Sequence, residues 1–112
     1  MSRAEAATRF MEALGRGDWD AAFEPFTEGC RWHSPGAHIE TVGREAAKRQ
    51  LAAYVRNTQA SYRVVEARDH ENLTTIFFEG ETTVGGDRRS FPGVVVVRWQ
   101  GEHVDELWGI RG

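Results

Sequence analysis

Two glutamates that stand two residues apart are the first side chains in this sequence that could transfer protons. Glu79 and Glu81 lie in the segment Leu73–Val84, whose β-branched and aromatic residues predict a strand, and residues two apart share a strand face. In a dry cavity, a carboxylate beside a second carboxylate can serve as a general acid or base. The alternating residues Ile76 and Phe78 are more apolar, so periodicity alone places Glu79 in solvent. Both orientations of Glu79 are therefore open.

A second candidate group, Trp32-His33-Ser34, ends a predicted strand over Gly29–Ser34. Histidine exchanges protons near neutral pH, and a serine hydroxyl can bind a ligand, or attack it if a base lies beside it. Strand alternation places Trp32 and Ser34 on one face and His33 on the other, unless a bulge reverses this. We take His33 and Ser34, with Glu79, as the candidate catalytic residues. The alternative for His33 is a packed or interface side chain.

The elements that would position these groups are helices in the first half of the chain and strands in the second. Ser2 and Glu5 form a capping box at the start of a first helix, and Asp18 precedes a short second one. A third helix is predicted from about Gly43 to Asn57. Strands are predicted at Ser61–Arg68, Leu73–Val84, Ser90–Gln100 and His103–Ile110, with turn residues between them. This order indicates an α+β fold with an antiparallel meander.

Composition excludes several other classes of protein. The 112 residues fit one domain, 1–112, and 40% of them are hydrophobic, as in a globular chain. The net charge of −3 gives no basic surface for nucleic acid, and Val94–Val97, the longest aliphatic run, is far too short to span a membrane. Cys30 is the single cysteine, which favours the cytoplasm and a buried, unreactive thiol. No spacing of His, Cys, Asp and Glu resembles a metal site, and no cofactor is expected.

Three segments together resemble a known family. They are Phe10–Phe23, then Trp32–Gly36 with Gly43–Ala47, and finally Val94–Trp99 followed by a glycine turn and a closing strand. Their order is similar to that of the SnoaL-like and ketosteroid-isomerase-like branches of the nuclear-transport-factor-2-like superfamily. The resemblance implies three N-terminal helices packed on a strongly curved, mainly antiparallel sheet, a cone-shaped, cystatin-like α+β barrel. This fold carries many functions, so it does not fix one.

The resemblance also implies which chemistry is absent. The three chemical positions of the steroid isomerases, a tyrosine and two aspartates, fall here on Phe10, Ser34 and Val95. We therefore expect no appreciable 3-ketosteroid isomerase activity. The catalytic positions of the limonene epoxide hydrolases fall on Glu79, Glu81 and Gly109, so two of their three roles are lost.

From strand parity and the resemblance we expect a cavity between the third helix and the concave sheet that takes a small apolar molecule. The expected ligand-binding residues are Phe10, Trp32, Tyr54, Phe77, Glu81, Val95, Val97 and Trp99, with Glu79 as the acid/base group and Ser34 beside it. Three functions are open: a cofactor-free isomerase, cyclase or hydrolase, a non-catalytic ligand-binding protein, and an interaction module.

A homodimer through the outer sheet face is also expected. The run Val94–Val97 is apolar on both faces, and an exposed apolar face of that size usually binds a partner. Ile76, Phe78, Trp108 and Ile110 are expected to join Val94 and Val96 there, with Arg98 and Glu106 at the polar rim.

Overall fold

The computed structural model describes residues 2–34 and 39–111. In chain order the elements are α1 (Arg3–Arg16), α2 (Trp19–Phe23), β1 (Phe26–Ser34), β2 (Ile39–Val42), α3 (Arg44–Thr58), β3 (Ser61–His70), β4 (Leu73–Val84), β5 (Asp87–Gln100) and β6 (His103–Arg111). Three helices pack on one curved, mainly antiparallel sheet, and the predicted α+β fold class is confirmed.

Local sequence signals set the bounds of the first two helices. The backbone N–H of Glu5 donates to Ser2 Oγ at 3.1 Å, which is half of the predicted capping box. Gly17 ends α1 in the left-handed conformation at φ 74°, where a side chain would be strained. Asp18 then caps α2 by accepting from the N–H of Ala21. Among the described residues, no helix has both the length and the apolar character needed to cross a membrane.

The sheet has the strand order β2-β1-β6-β5-β4-β3. Every neighbouring pair is antiparallel except β1 with β6, which run parallel. The edge strand β2 was not predicted from the sequence, and β1 begins at Phe26, three residues before the predicted start. Helix α1 packs across β3 and β4, while α3 packs against β1, so the helices and the inner sheet face enclose the core between them.

The faces of β4 are opposite to those expected from the resemblance. Ile76 and Phe78 point inward and are buried, whereas Phe77, Glu79 and Glu81 are exposed on the outer face. The register explains this, because Ile76 pairs with the inward-facing Val95 and therefore shares its face. Glu79 and Val95 thus lie on opposite faces of the sheet. The sequence's own alternation, which favoured solvent for Glu79, was the better guide.

Candidate functional site

A cavity of about 580 Å³ lies between the helices and the inner face of the sheet. Helices α1 and α3 form one side, and strands β1, β3, β4, β5 and β6 form the other. Its lining residues are Phe10, Met11, Leu14, Trp32, Ser34, Ala47, Gln50, Leu51, Tyr54, Tyr62, Phe78, Phe91, Val95, Gly109 and Ile110.

One wall of this cavity is held by a cluster of aromatic rings. Trp32 stacks on Phe23 at 5.7 Å between ring centroids, and Phe10 meets Trp32 edge-on at 6.1 Å. Phe10, Phe23 and Phe26 also contact one another, and all three are at most 4% exposed. Since close-packed rings have little freedom to move, this wall presents a fixed apolar surface to a ligand.

Four uncharged polar side chains are spread around the cavity. Ser34 stands at the end of β1, Gln50 and Tyr54 lie one helical turn apart on α3, and Tyr62 lies on β3. Gln50 is anchored by a hydrogen bond from the Thr41 hydroxyl on β2. Such groups can orient a ligand through hydrogen bonds without the desolvation cost of burying a charge.

Five of the predicted site residues come together around the cavity, and two more lie deeper in the core. The five are Phe10, Trp32, Ser34, Tyr54 and Val95. Val97 and Trp99 also point inward, but they are only 1% and 5% exposed and do not reach the lining. Trp99 instead donates its indole N–H to the Thr74 hydroxyl at 2.9 Å, so both residues belong to the packing beneath the cavity.

The predicted carboxylate site is not in the cavity. Glu79 pairs with Arg63 and Glu81 with Arg88 on the outer face, where Phe77 is 41% exposed. The expectation that Phe77, Glu79 and Glu81 line the cavity is therefore wrong in its geometry. The physical reason is that the more apolar residues of β4, Ile76 and Phe78, occupy its inner face.

His33 also faces away from the cavity, as plain alternation along β1 indicated. Its Nε2 atom lies 2.6 Å from Glu106 Oε2, and Arg98 contacts the other carboxylate oxygen at 2.6 Å. The imidazole stacks on Trp108 at 5.4 Å between centroids. Because these partners hold His33 on the outer face, it cannot exchange protons with a ligand in the cavity.

Several lining residues were missed by sequence reasoning. Phe78 was missed because the faces of β4 were inverted, and Tyr62 because the register of β3 on β4 was not predicted. Gln50 could have been predicted, since it lies four residues before Tyr54 and therefore on the face of α3 that was expected to point toward the cavity.

Within the described part of the chain, the lining holds no carboxylate, imidazole, ammonium or guanidinium group. Over residues 2–34 and 39–111, no three His, Cys, Asp or Glu side chains come together in a group that could hold a metal ion. Cys30 lies at the core side of β1, 1% exposed, and burial raises the pKa of its thiol, with Arg44 opposing that shift. The described site can therefore bind and orient a ligand, but it supplies no group that is charged near neutral pH.

Solved structures with the same fold were compared with this chain. Bal32a, from a soil-derived mobile gene cassette, has a TM-score of 0.88 at 22% identity, covering 96% of this chain and 87% of its own. An uncharacterized cystatin-fold protein of Novosphingobium aromaticivorans has a TM-score of 0.84 at 20% identity, covering 99% of both chains. A protein of Catenulispora acidiphila with a ketosteroid isomerase-like fold, solved in complex with trimethylamine, has a TM-score of 0.84 at 15% identity, covering 96% and 85%. These likenesses show the fold alone.

A search among curated proteins gave no match. The family model of the SnoaL-like domain, by contrast, matches residues 7–107, which include most of α1, all of α2 and α3, and all or most of each strand. The resemblance first noticed in the sequence is thereby confirmed, and this chain belongs to the SnoaL-like domain family.

Proposed function

We propose that this protein binds a neutral, largely apolar small molecule in the cavity between its helices and its sheet. The observation that carries the proposal is the uncharged lining, in which aromatic and aliphatic side chains surround four polar groups. A charged ligand would lose its hydration there without gaining an opposite charge from the described residues. A neutral ligand with one or two polar atoms keeps its hydrogen bonds and buries the rest of its surface.

The size of the cavity supports the same class of ligand. Its volume of about 580 Å³ lies in the range of sites that enclose most of a drug-sized molecule. In the proposed complex, Ser34 and Tyr54 orient the polar end of the ligand, as the sequence suggested, and Gln50 and Tyr62 join them. Phe10, Trp32 and Val95 provide apolar contact.

The test is a titration with N-phenyl-1-naphthylamine, a neutral fluorescent probe, together with native mass spectrometry of the protein as purified. Leu51→Trp, on the cavity side of α3, fills the site and should weaken probe binding at least about tenfold, or about 1.4 kcal/mol. Val65→Trp, at a position that is 60% exposed, is the matched control and should leave the affinity unchanged. Equal binding by the two variants would place the probe outside the cavity and contradict the proposal.

The hydroxyl groups around the cavity favour a second candidate, a cofactor-free enzyme of isomerase, cyclase or hydrolase type. Ser34, Tyr54 and Tyr62 could stabilise charge that develops on a substrate oxygen, whereas Glu79 is too remote to act. For a substrate that is turned over, Tyr54→Phe would then lower kcat more than it raises KM. A change in KM alone would mean that Tyr54 helps to bind the ligand and does not stabilise the transition state.

We further propose that the protein forms a homodimer through the outer face of its sheet. We also propose that it is cytoplasmic, because a free, buried cysteine favours that compartment. Phe77 pairs with Val94, and Val96 pairs with Trp108, so these side chains form one apolar patch, whereas Ile110, which was expected to join them, borders the cavity. Ile76 and Phe78, expected here, belong to the core instead. The ion pairs Arg63–Glu79 and Arg98–Glu106 flank this outer patch. Since both charge signs are present at its rim, a two-fold copy can meet it with opposite charges.

A further inference from the structure

Two glycines on the inner face of the sheet each receive the ring of a phenylalanine from the neighbouring strand. Gly93 of β5 stands opposite Phe78 of β4, and Gly80 of β4 stands opposite Phe91 of β5. A methyl group on Gly80 would lie 2.5 Å from Cζ of Phe91, and one on Gly93 would lie within 3.0 Å of three ring atoms of Phe78. The two ring tips therefore occupy the space that any larger side chain would need.

Backbone conformation does not explain these glycines. The glycines with positive φ in the described chain are Gly17, Gly43, Gly85, Gly86 and Gly101, at helix ends and turns. Gly80 and Gly93 have strand geometry that any residue can adopt. They are small because another group approaches closely, which is the usual reason for glycine inside a strand.

Both rings belong to the cavity wall, so their position bears on its shape. Phe78 and Phe91 line the cavity and meet edge-on at 6.2 Å between centroids, and Tyr62 meets Phe78 edge-on at 5.5 Å. On the sheet side the rings rest on strands that are paired along both edges. A ring displaced from its glycine would meet packed backbone behind it and the open cavity in front of it.

We propose that Gly80 and Gly93 are specificity-determining positions, because by admitting the rings of Phe91 and Phe78 they set the depth of the cavity and hence the largest ligand it accepts. This proposal rests on the proposed binding function for its meaning to a ligand. Its geometric part concerns the protein alone. A methyl group at either position raises the opposing ring off the sheet and into the cavity.

The first measurement is a crystal structure of Gly93→Ala. The expected result is a Phe78 ring rotated into the cavity and a cavity clearly smaller than about 580 Å³. A Phe78 ring that keeps its place, with the strands shifting instead, overturns the proposal whatever the protein binds.

The second measurement is binding of three neutral probes of rising size: phenol, 2-naphthol and N-phenyl-1-naphthylamine. Gly93→Ala should weaken the largest probe at least about tenfold and phenol by less than about threefold, because a shallower cavity excludes size rather than chemistry. Gly29→Ala is the matched control, since a methyl group there meets no atom within 4 Å, and its affinities should equal the wild type's. An equal loss for all three probes in Gly93→Ala contradicts the proposal.

A third variant keeps the test decisive if Gly93→Ala does not fold. Phe78→Leu removes the ring and should deepen the cavity, so that the preference shifts toward N-phenyl-1-naphthylamine. Phe78→Leu combined with Gly93→Ala should regain both folding and the large probe. An unchanged preference in Phe78→Leu overturns the proposal. If the wild type binds no probe, the proposed function fails, but the position of the Phe78 ring in the crystal structure of Gly93→Ala still tests whether the glycine sets the depth of the cavity.

Discussion

Replacing Thr74 by valine should destabilise the protein through a single buried hydrogen bond. Thr74 is fully buried, and its Oγ1 accepts from the Trp99 indole N–H at 2.9 Å while donating to Asp69 Oδ1 at 2.6 Å. Valine keeps the shape and removes only the hydroxyl. The indole N–H then remains buried without a partner among the described residues, which costs about 1–3 kcal/mol.

The lost bond to Asp69 should add little to that loss. Asp69 is exposed and its other oxygen accepts from the N–H of Ala4, so water can replace the threonine. We therefore expect the free energy of unfolding to fall by about 2 kcal/mol rather than by the sum of two full hydrogen bonds. For a domain of this size, that corresponds to a Tm lower by about 8 °C.

Urea unfolding and calorimetry measure this effect, with Thr75→Val as the matched control. Thr75 lies on the outer face of the same strand, where no hydrogen bond of its hydroxyl is found within the described residues, and its replacement should change stability by less than about 0.5 kcal/mol. In Trp99→Phe the N–H is absent, so Thr74→Val should be milder in that background. Additive effects in this double-mutant cycle, or equal stability of the two threonine variants, would refute the reasoning.

Three further predictions follow from the outer face and the core. Glu79→Gln should change probe binding by less than about twofold and stability by less than about 0.5 kcal/mol, because an exposed ion pair contributes little. Titration and urea unfolding check this, and a loss of probe binding in the variant would mean that Glu79 does line the cavity. Val96→Glu should convert a sedimenting dimer to a monomer at tens of micromolar protein, and a monomeric wild type would remove the dimer. Cys30 should resist a thiol reagent in the native protein. Burial raises the pKa of its thiol, so above the ordinary thiol range the unfolded chain loses this proton more readily than the folded one, and the free energy of unfolding should fall as pH rises. Cys30→Ala should not show this fall.

Much of the fold could be predicted because its signals are local. The Ser2 cap, the glycine after α1 and the Gly85–Gly86 turn each fix one boundary through nearby atoms. The edge strand β2 was missed, since Ile39–Val42 is short and has β1 as its single partner among the described strands. The β2 strand forms through its pairing in the folded protein rather than through the strand propensity of its own residues.

The candidate site was half predicted for a different reason. Along β5 the alternation was placed correctly, so Val95 was assigned to the cavity. Along β4 the family resemblance overrode the local alternation, and a shift of one residue in a strand exchanges its two faces. Glu79 was thereby moved inward and Phe78 outward. Plain alternation would have placed Phe78 inward, whereas its partner Gly93 could not be recognised until the register of β4 and β5 was known.

The parallel pairing of β1 with β6 has a consequence for how the chain is synthesised. His33 lies beside Trp108, so the strand that carries Trp32 and Ser34 joins the sheet through a strand near the other end of the chain. During translation β1 and β2 can pair with each other long before β6 exists, but among the described strands the other edge of β1 has no partner until β6 is made. Closing so long a loop is slow, and in the meantime that edge of β1 stays exposed. The sheet should therefore close only after β6 has been synthesised, and until then one edge of β1 is the part of the sheet most open to pairing with another chain.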